Sequence, residues 1–266
     1  MKARKSAIVL SKQNFLISGK QLYHGGHAES IGSRPSMEDT CAVIGNFLGP
    51  NTQYYGLFDG HGGNNVSLYC LHNLHLEIAK NYKKPMHMED AIKEAFKTIN
   101  KYAKSKWVME GSCAAIAIIS KDIIYIANLG DSRVIVIDEG VAKRCTYDHK
   151  SSDPKERQMV IERGGHIAND RVNGILMLSR SIGDGILGKA VGSEPHIVKM
   201  KVKPGLKLIL ACDGVWDVMT DQEAADIVLN TEHLPDAARL IKDEALKRKS
   251  TDNVSCIVAD LDSKAQ

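Results

Sequence analysis

Six carboxylates stand beside apolar runs: Glu38 and Asp39 in RPSMEDT, Asp59 in GLFDGHGG, Asp131 in NLGDSR, Asp213 in LILACDGVWD and Asp252 in TDNVS. Singly, each suits a structural role, such as a helix cap, a tight turn or a loop. Gathered at one place they would repel one another unless cations lay between them. An all-oxygen set suits the hard ions Mg²⁺ or Mn²⁺ better than zinc. The D-x-D-x-D-G spacing of a dedicated calcium loop does not occur. Gly60, directly after Asp59, lets a backbone carbonyl come close to a metal without steric cost. His61 follows with an imidazole that titrates near neutral pH.

These residues need elements that bring them together. LFD and LILACD both read as buried strands that end in an acid, so Asp59 and Asp213 emerge where a strand leaves the core. SCAAIAIIS, DIIYIANLG and SRVIVIDEG are β-branched runs separated by turn residues and read as a meander, and NVSCIVADL reads as a last strand. Residues 60–80 carry a helical pattern. Residues 86–106 carry a stronger one, with Met88, Ala91, Ile92, Ala95, Phe96, Ile99 and Ala103 on one face. In SSDPKERQMVIERGG, Asp153 can cap a helix, Pro154 suits its first position, Glu156 can complete a capping box and Gly164 can end it. Helices are also expected over 214–229 and 235–249. HGGH at 24–27 reads as a loop, and His72 and His75 as surface histidines on a helix. Strands in meanders and helices in pairs favour an antiparallel α+β layering over an alternating parallel sheet.

The bulk numbers exclude several classes. A net charge of +3 over 266 residues is too small for a nucleic-acid footprint. No apolar run approaches the roughly 18–20 residues of a membrane span. The six cysteines form no C-x-x-C pair and sit in apolar runs, as small buried hydrophobes do in a reducing compartment. A cytoplasmic setting follows, with the nucleus as an alternative. The basic first twenty residues read either as an extension, which leaves targeting open, or as a first strand through AIVL and FLI.

RPSMED, FDGHGG, GSCAA, NLGDSR, DHKSSDP, RVNGILMLSRSIGD, LILACDGVWDVM and TDNVS, in this order, resemble the motifs of the metal-dependent (type 2C) serine/threonine protein phosphatases. The resemblance runs from about residue 21 to 260. It implies one catalytic domain over 21–262, built as an antiparallel β-sandwich of two sheets flanked by helices, with two Mn²⁺ or Mg²⁺ ions in a cleft at one edge. It implies that Asp59 bridges the ions, that Asp213 and Asp252 bind one, and that Glu38 and the Gly60 carbonyl serve the other. Asp39 would hold a metal-bound water from behind. Asp131, with Asp213, would belong to a weaker third site. Arg34 would take the phosphate and His61 would protonate the leaving group. The implied reaction is direct attack of a metal-bridging hydroxide on phosphoserine or phosphothreonine of a phosphoprotein, by a monomer. The alternative is the same fold kept as a catalytically silent binding module. Cys113 stands where the family often has threonine, and Ser151 where it has proline. Only GILGKAVGS separates Asp184 from Glu194, where a longer flap is usual.

Overall fold

The structure is a computed structural model and describes residues 14–82 and 87–264. Strands β1 (Phe15–Ser18), β3 (Thr40–Gly45), β4 (Thr52–Phe58), β7 (Ala114–Ser120), β8 (Ile123–Leu129) and β14 (His196–Lys201) form a six-stranded sheet in that order. A five-stranded sheet runs β10 (Val141–Arg144), β9 (Arg133–Asp138), β15 (Lys207–Ala211), β16 (Val254–Lys264) and β2 (Tyr23–Ser30).

Side chains alternate across a strand, which decides what each sheet faces. In β4, Tyr54 and Phe58 join Ile116 and Ile118 of β7 under the helices α1 (Asn65–Asn81) and α2 (Met88–Lys106). Tyr55 and Leu57 point the other way, with Ala115, Ala117 and Ile119, and meet Val134, Val136, Leu208 and Leu210 of the second sheet. Ile135, Ile137, Ile209 and Ala211 then cover the helices α4 (Asp213–Trp216), α5 (Asp221–Leu229) and α6 (Leu234–Lys247). The result is the expected sandwich with helices on both outer faces. Central strands buried on both sides read as continuous apolar runs rather than alternating ones. Each fully buried large side chain contributes about 1.5–3 kcal/mol of transfer free energy.

Several expectations change. The sheets are not wholly antiparallel, because the edge strand β1 pairs parallel to β3. β1 holds the FLI segment, while AIVL lies outside the described residues. HGGH belongs to β2 and is not a loop. Its glycines serve packing, since a Cβ on Gly26 would lie 2.4 Å from Pro235 Cα in the first turn of α6. The helix expected over 214–229 is two, with α5 restarted by a capping box between Thr220 and Glu223. In α3 (Pro154–Glu162), Asp153 caps as expected, but Glu156 forms no capping box. It is buried and bonds Ser179 and Arg180 instead. His75 is no surface residue. Its ring lies against Tyr54, and burial lowers its pKa to about 4.

Smaller pieces complete the chain. β11 (Ile167–Ala168) pairs with β12 (Arg171–Val172) beside α3. β5 (Gly60–His61), β6 (Gly111–Ser112) and β13 (Ile182–Gly183) form a three-stranded patch. The short segment after Asp184 is packed down. Leu187, Ala190 and Val191 bury against Val160 and Val172, and Lys104 Nζ of α2 donates to the Gly188 carbonyl at 2.7 Å.

Candidate active site

Strand register alone gathers the acids. Thr40 pairs with Phe58, so Asp39 and Asp59 leave β3 and β4 at the same end. Ala114 pairs with Leu129, which puts Cys113 and Asp131 at that end of β7 and β8. In the second sheet Arg133 pairs with Ala211, and Ala211 with Cys256, so Asp213 and Asp252 emerge together. Val254 pairs with Ser30, and the chain beyond Ser30 carries Arg34 and Glu38 across the same end.

Local bonds then set the donors. Asp59 and Cys113 exchange backbone hydrogen bonds, Asp59 N–H to Cys113 O at 3.3 Å and Cys113 N–H to Asp59 O at 2.8 Å. Asp59, Cys113 and Asp131 each offer a donor atom within 4.8 Å of the others, and Cys113 Sγ lies 3.3 Å from Asp131 Oδ1. Gly60 must be glycine: a Cβ there would lie 2.6 Å from the Glu38 carbonyl and 2.8 Å from Ser67 Oγ. Glu38 is aimed by its neighbours, with Ser36 Oγ donating to Oε1 at 2.8 Å and Gly63 N–H to Oε2 at 3.0 Å.

The electrostatics are those of uncompensated charge. Burial, then the charges of Asp213, Asp39, Asp131 and Asp252, push Asp59 well above the usual carboxylate range. Burial with Asp131, Asp252, Asp217 and Asp39 does the same to Asp213. Burial pushes Asp39 up to about 7 although the nearby Ser255 and Cys212 side chains act to lower it, and its Oδ2 is buried with no hydrogen-bond partner among the described residues. Burial also raises Asp131, while Lys150 Nζ at 3.5 Å holds it back. Such a set is destabilising by itself and is relieved by positive charge. Its donors are oxygens apart from the Cys113 thiol, so the residues present fit hard divalent cations.

The protein phosphatase 2C family model matches residues 23–254. The chain belongs to this family. Protein phosphatase 2C homolog 1 of Schizosaccharomyces pombe is 38% identical over 86% of this chain and 70% of its own length. The protein of the same name in Saccharomyces cerevisiae is 34% identical over 89% and 92%. The crystal structure of serine-threonine phosphatase 2C from Toxoplasma gondii superposes with a TM-score of 0.78 at 20% identity, covering 91% of this chain and 96% of that one, and so shares the fold.

Within this phosphatase fold, the candidate site residues lie at one end of the sandwich. Arg34 sits at the rim, its side chain 53% exposed, with Nη2 on Asp252 Oδ2 and Nε 3.3 Å from the Thr251 carbonyl. His61 Nε2 lies 3.0 and 2.9 Å from the two oxygens of Asp184. Asp184 is the residue that sequence reasoning left without a role. It has a left-handed backbone (φ +51°), accepts from Ser181 Oγ and is buried. Burial works against protonation of His61, but the Asp184 hydrogen bond and charge, with Asp131 and Glu38, hold its pKa above the ordinary value. Asn253 was also missed. Its amide donates to the Ile31 and Ser36 carbonyls at 2.9 and 3.0 Å, and its Oδ1 accepts from Glu38 N–H at 2.8 Å, so it clamps the loop that carries Arg34 and Glu38.

Proposed function

We propose that the chain is a metal-dependent protein serine/threonine phosphatase whose catalytic unit spans 21–262. The carrying observation is the convergence of buried carboxylates whose mutual repulsion raises Asp59 and Asp213. Glu38, Asp59, the Gly60 carbonyl, Asp213 and Asp252 would hold two Mn²⁺ or Mg²⁺ ions, and Asp131 with Asp213 a weaker third. When bound, such ions supply Lewis acidity and make a coordinated water acidic enough to attack phosphorus directly near neutral pH. Asp39 would sit behind these donors, placed to accept a hydrogen bond from such a water. Arg34 meets the phosphoryl oxygens with a planar fork of donors. His61, oriented by Asp184, donates a proton to the serine or threonine oxygen as it leaves. The substrates on this reading are phosphoproteins, and the enzyme acts as a cytoplasmic or nuclear monomer.

A substrate panel tests the reading. With Mn²⁺ present, phosphate should be released from a phosphothreonine peptide in strong preference to a phosphotyrosine peptide and ATP. No release from any of them would leave a silent binding module. A preference for ATP would make the chain a hydrolase of small phosphate esters.

Arg34→Ala should raise KM about tenfold or more at saturating Mn²⁺, with a smaller fall in kcat, because a substrate contact is lost rather than the metals. Unchanged KM and unchanged inhibition by phosphate would remove Arg34 from the substrate's path.

A further inference from the structure

A cavity of about 570 Å³ opens between α2, α3 and the start of β14, and its lining includes His149, His196, Arg180, Lys93 and Lys155. None of these residues belongs to the proposed metal site. The cavity adjoins that site through the backbone, because the His149 ring rests on Gly130, the residue before Asp131.

The hydrogen-bond accounting at His149 sets what the cavity presents. The Gly130 carbonyl already accepts from His149 N–H at 2.9 Å and from Asn128 Nδ2 at 3.2 Å. The buried Gly130 N–H has His149 Nδ1, at 3.2 Å, as its acceptor. A buried backbone donor is rarely left unpaired. Nδ1 also lies 3.0 Å from the Gly130 carbonyl, but a ring proton there would orphan that N–H. The proton therefore belongs on Nε2. His149 is fully buried, yet among the described residues Nε2 has no hydrogen-bond partner, and neither has Nδ1 of His196, which lines the same cavity. His149 lines the cavity, and with Nδ1 held by Gly130 its ring keeps Nε2–H as the one donor not already engaged.

The lining carries four cationic side chains, Lys93, Lys155, Arg180 and Lys199, against the three carboxylates Glu89, Glu156 and Glu194. Arg180 is matched by Glu156, with contacts of 2.6 and 2.9 Å, and Lys199 by Glu89 at 3.8 Å. Lys93 and Lys155 make no ion pair within 4 Å among the described residues, although Lys155 acts electrostatically on the Asp153 carboxylate, and Glu194 is an exposed carboxylate on the same rim. A buried ring donor in the lining and two ammonium groups outside any close ion pair at the rim suit an acceptor-rich anion.

We infer that this cavity is a binding site for an oxyanion group, phosphoryl by preference, held by His149 and His196 at the floor and by Lys93 and Lys155 at the rim. The group has two sources of the same chemistry: a second phosphoryl group on the substrate polypeptide, or free phosphate. The first of these deepens the phosphatase reading and rests on it. The site itself does not.

The test uses the full chain with ¹⁵N-labelled histidine. In metal-free protein, inorganic phosphate should move the His149 and His196 ring resonances along a saturating curve. The double variant Lys93→Ala/Lys155→Ala, altered only at exposed rim positions, should weaken that affinity roughly fivefold to tenfold. With Mn²⁺ restored, kcat/KM is compared for peptides carrying one phosphothreonine, with and without a nearby phosphoserine. A preference for the doubly phosphorylated peptide that vanishes in the double variant, with the single-phosphate rate unchanged, assigns the group to the substrate. Equal rates with an intact phosphate titration assign it to free phosphate. Histidine resonances that stay still under phosphate, with the double variant matching wild type on both peptides, would overturn the site. Loss of turnover on the singly phosphorylated peptide, with the titration intact, would instead strike the phosphatase reading.

Discussion

Asp59→Asn is expected to lower kcat by at least about 10³-fold while the protein stays folded. The substitution is nearly isosteric but removes a carboxylate charge that, on the proposed reading, would help hold the cations. The same change should stabilise the metal-free protein, for a reason that can be signed. Burial and the neighbouring acids raise the folded-state pKa of Asp59 well above its unfolded value. The folded state therefore binds the proton more tightly, and stability falls as pH rises from the unfolded pKa towards the folded one. At neutral pH the charged form is a burden that asparagine relieves, so thermal scans in EDTA should show Tm rising by about 2–4 °C for each kcal/mol gained. That gain should vanish below the unfolded pKa, where Asp59 is protonated in both states. Near-normal kcat in the variant would make Asp59 a turn residue only.

His61→Gln is expected to slow hydrolysis of a phosphothreonine peptide by about 10²–10³-fold and that of p-nitrophenyl phosphate far less. A threonine alkoxide is a strong base and needs a proton to leave, whereas nitrophenolate does not. His61 is suited to the task, since both oxygens of Asp184 face Nε2 at 3.0 and 2.9 Å and favour the protonated ring. Its raised pKa extends the protonated fraction to higher pH, so the peptide rate should fall as pH rises through that value. Equal losses on the two substrates, at unchanged metal affinity, would remove His61 from proton transfer.

The layers and the acids were legible because both signals are local. An acid directly after a buried strand, as in LFD or LACD, emerges at a sheet end whatever the rest of the chain does. Register then makes the several ends coincide, as Thr40 opposite Phe58 and Arg133 opposite Ala211 do. What stayed hidden depends on contacts between distant segments. Gly25 and Gly26 look like a loop until α6 is seen to press on β2, where a Cβ on Gly26 would strike Pro235. The break between α4 and α5 lies inside an apolar pattern that periodicity alone reads through. Its only local mark is Thr220 followed three residues on by Glu223. Glu156 carried the same kind of mark at α3, but it is buried and Arg180 claims it instead. Asn253 reaches carbonyls 217 and 222 positions away, and no short-range pattern encodes that clamp. Asp184 is 123 positions from His61, and its only local signal was an acid after glycine near the end of a long motif.

The most direct test of the central claim is phosphate release from a phosphothreonine peptide by metal-stripped protein as Mn²⁺ is added back. The buried acids beside Asp59 have no function in this account except to hold cations that make water reactive. Turnover should be absent in EDTA, return with Mn²⁺ and saturate, and not recover in Asp59→Asn at the same concentrations. Full turnover by the stripped wild-type protein in EDTA would contradict it.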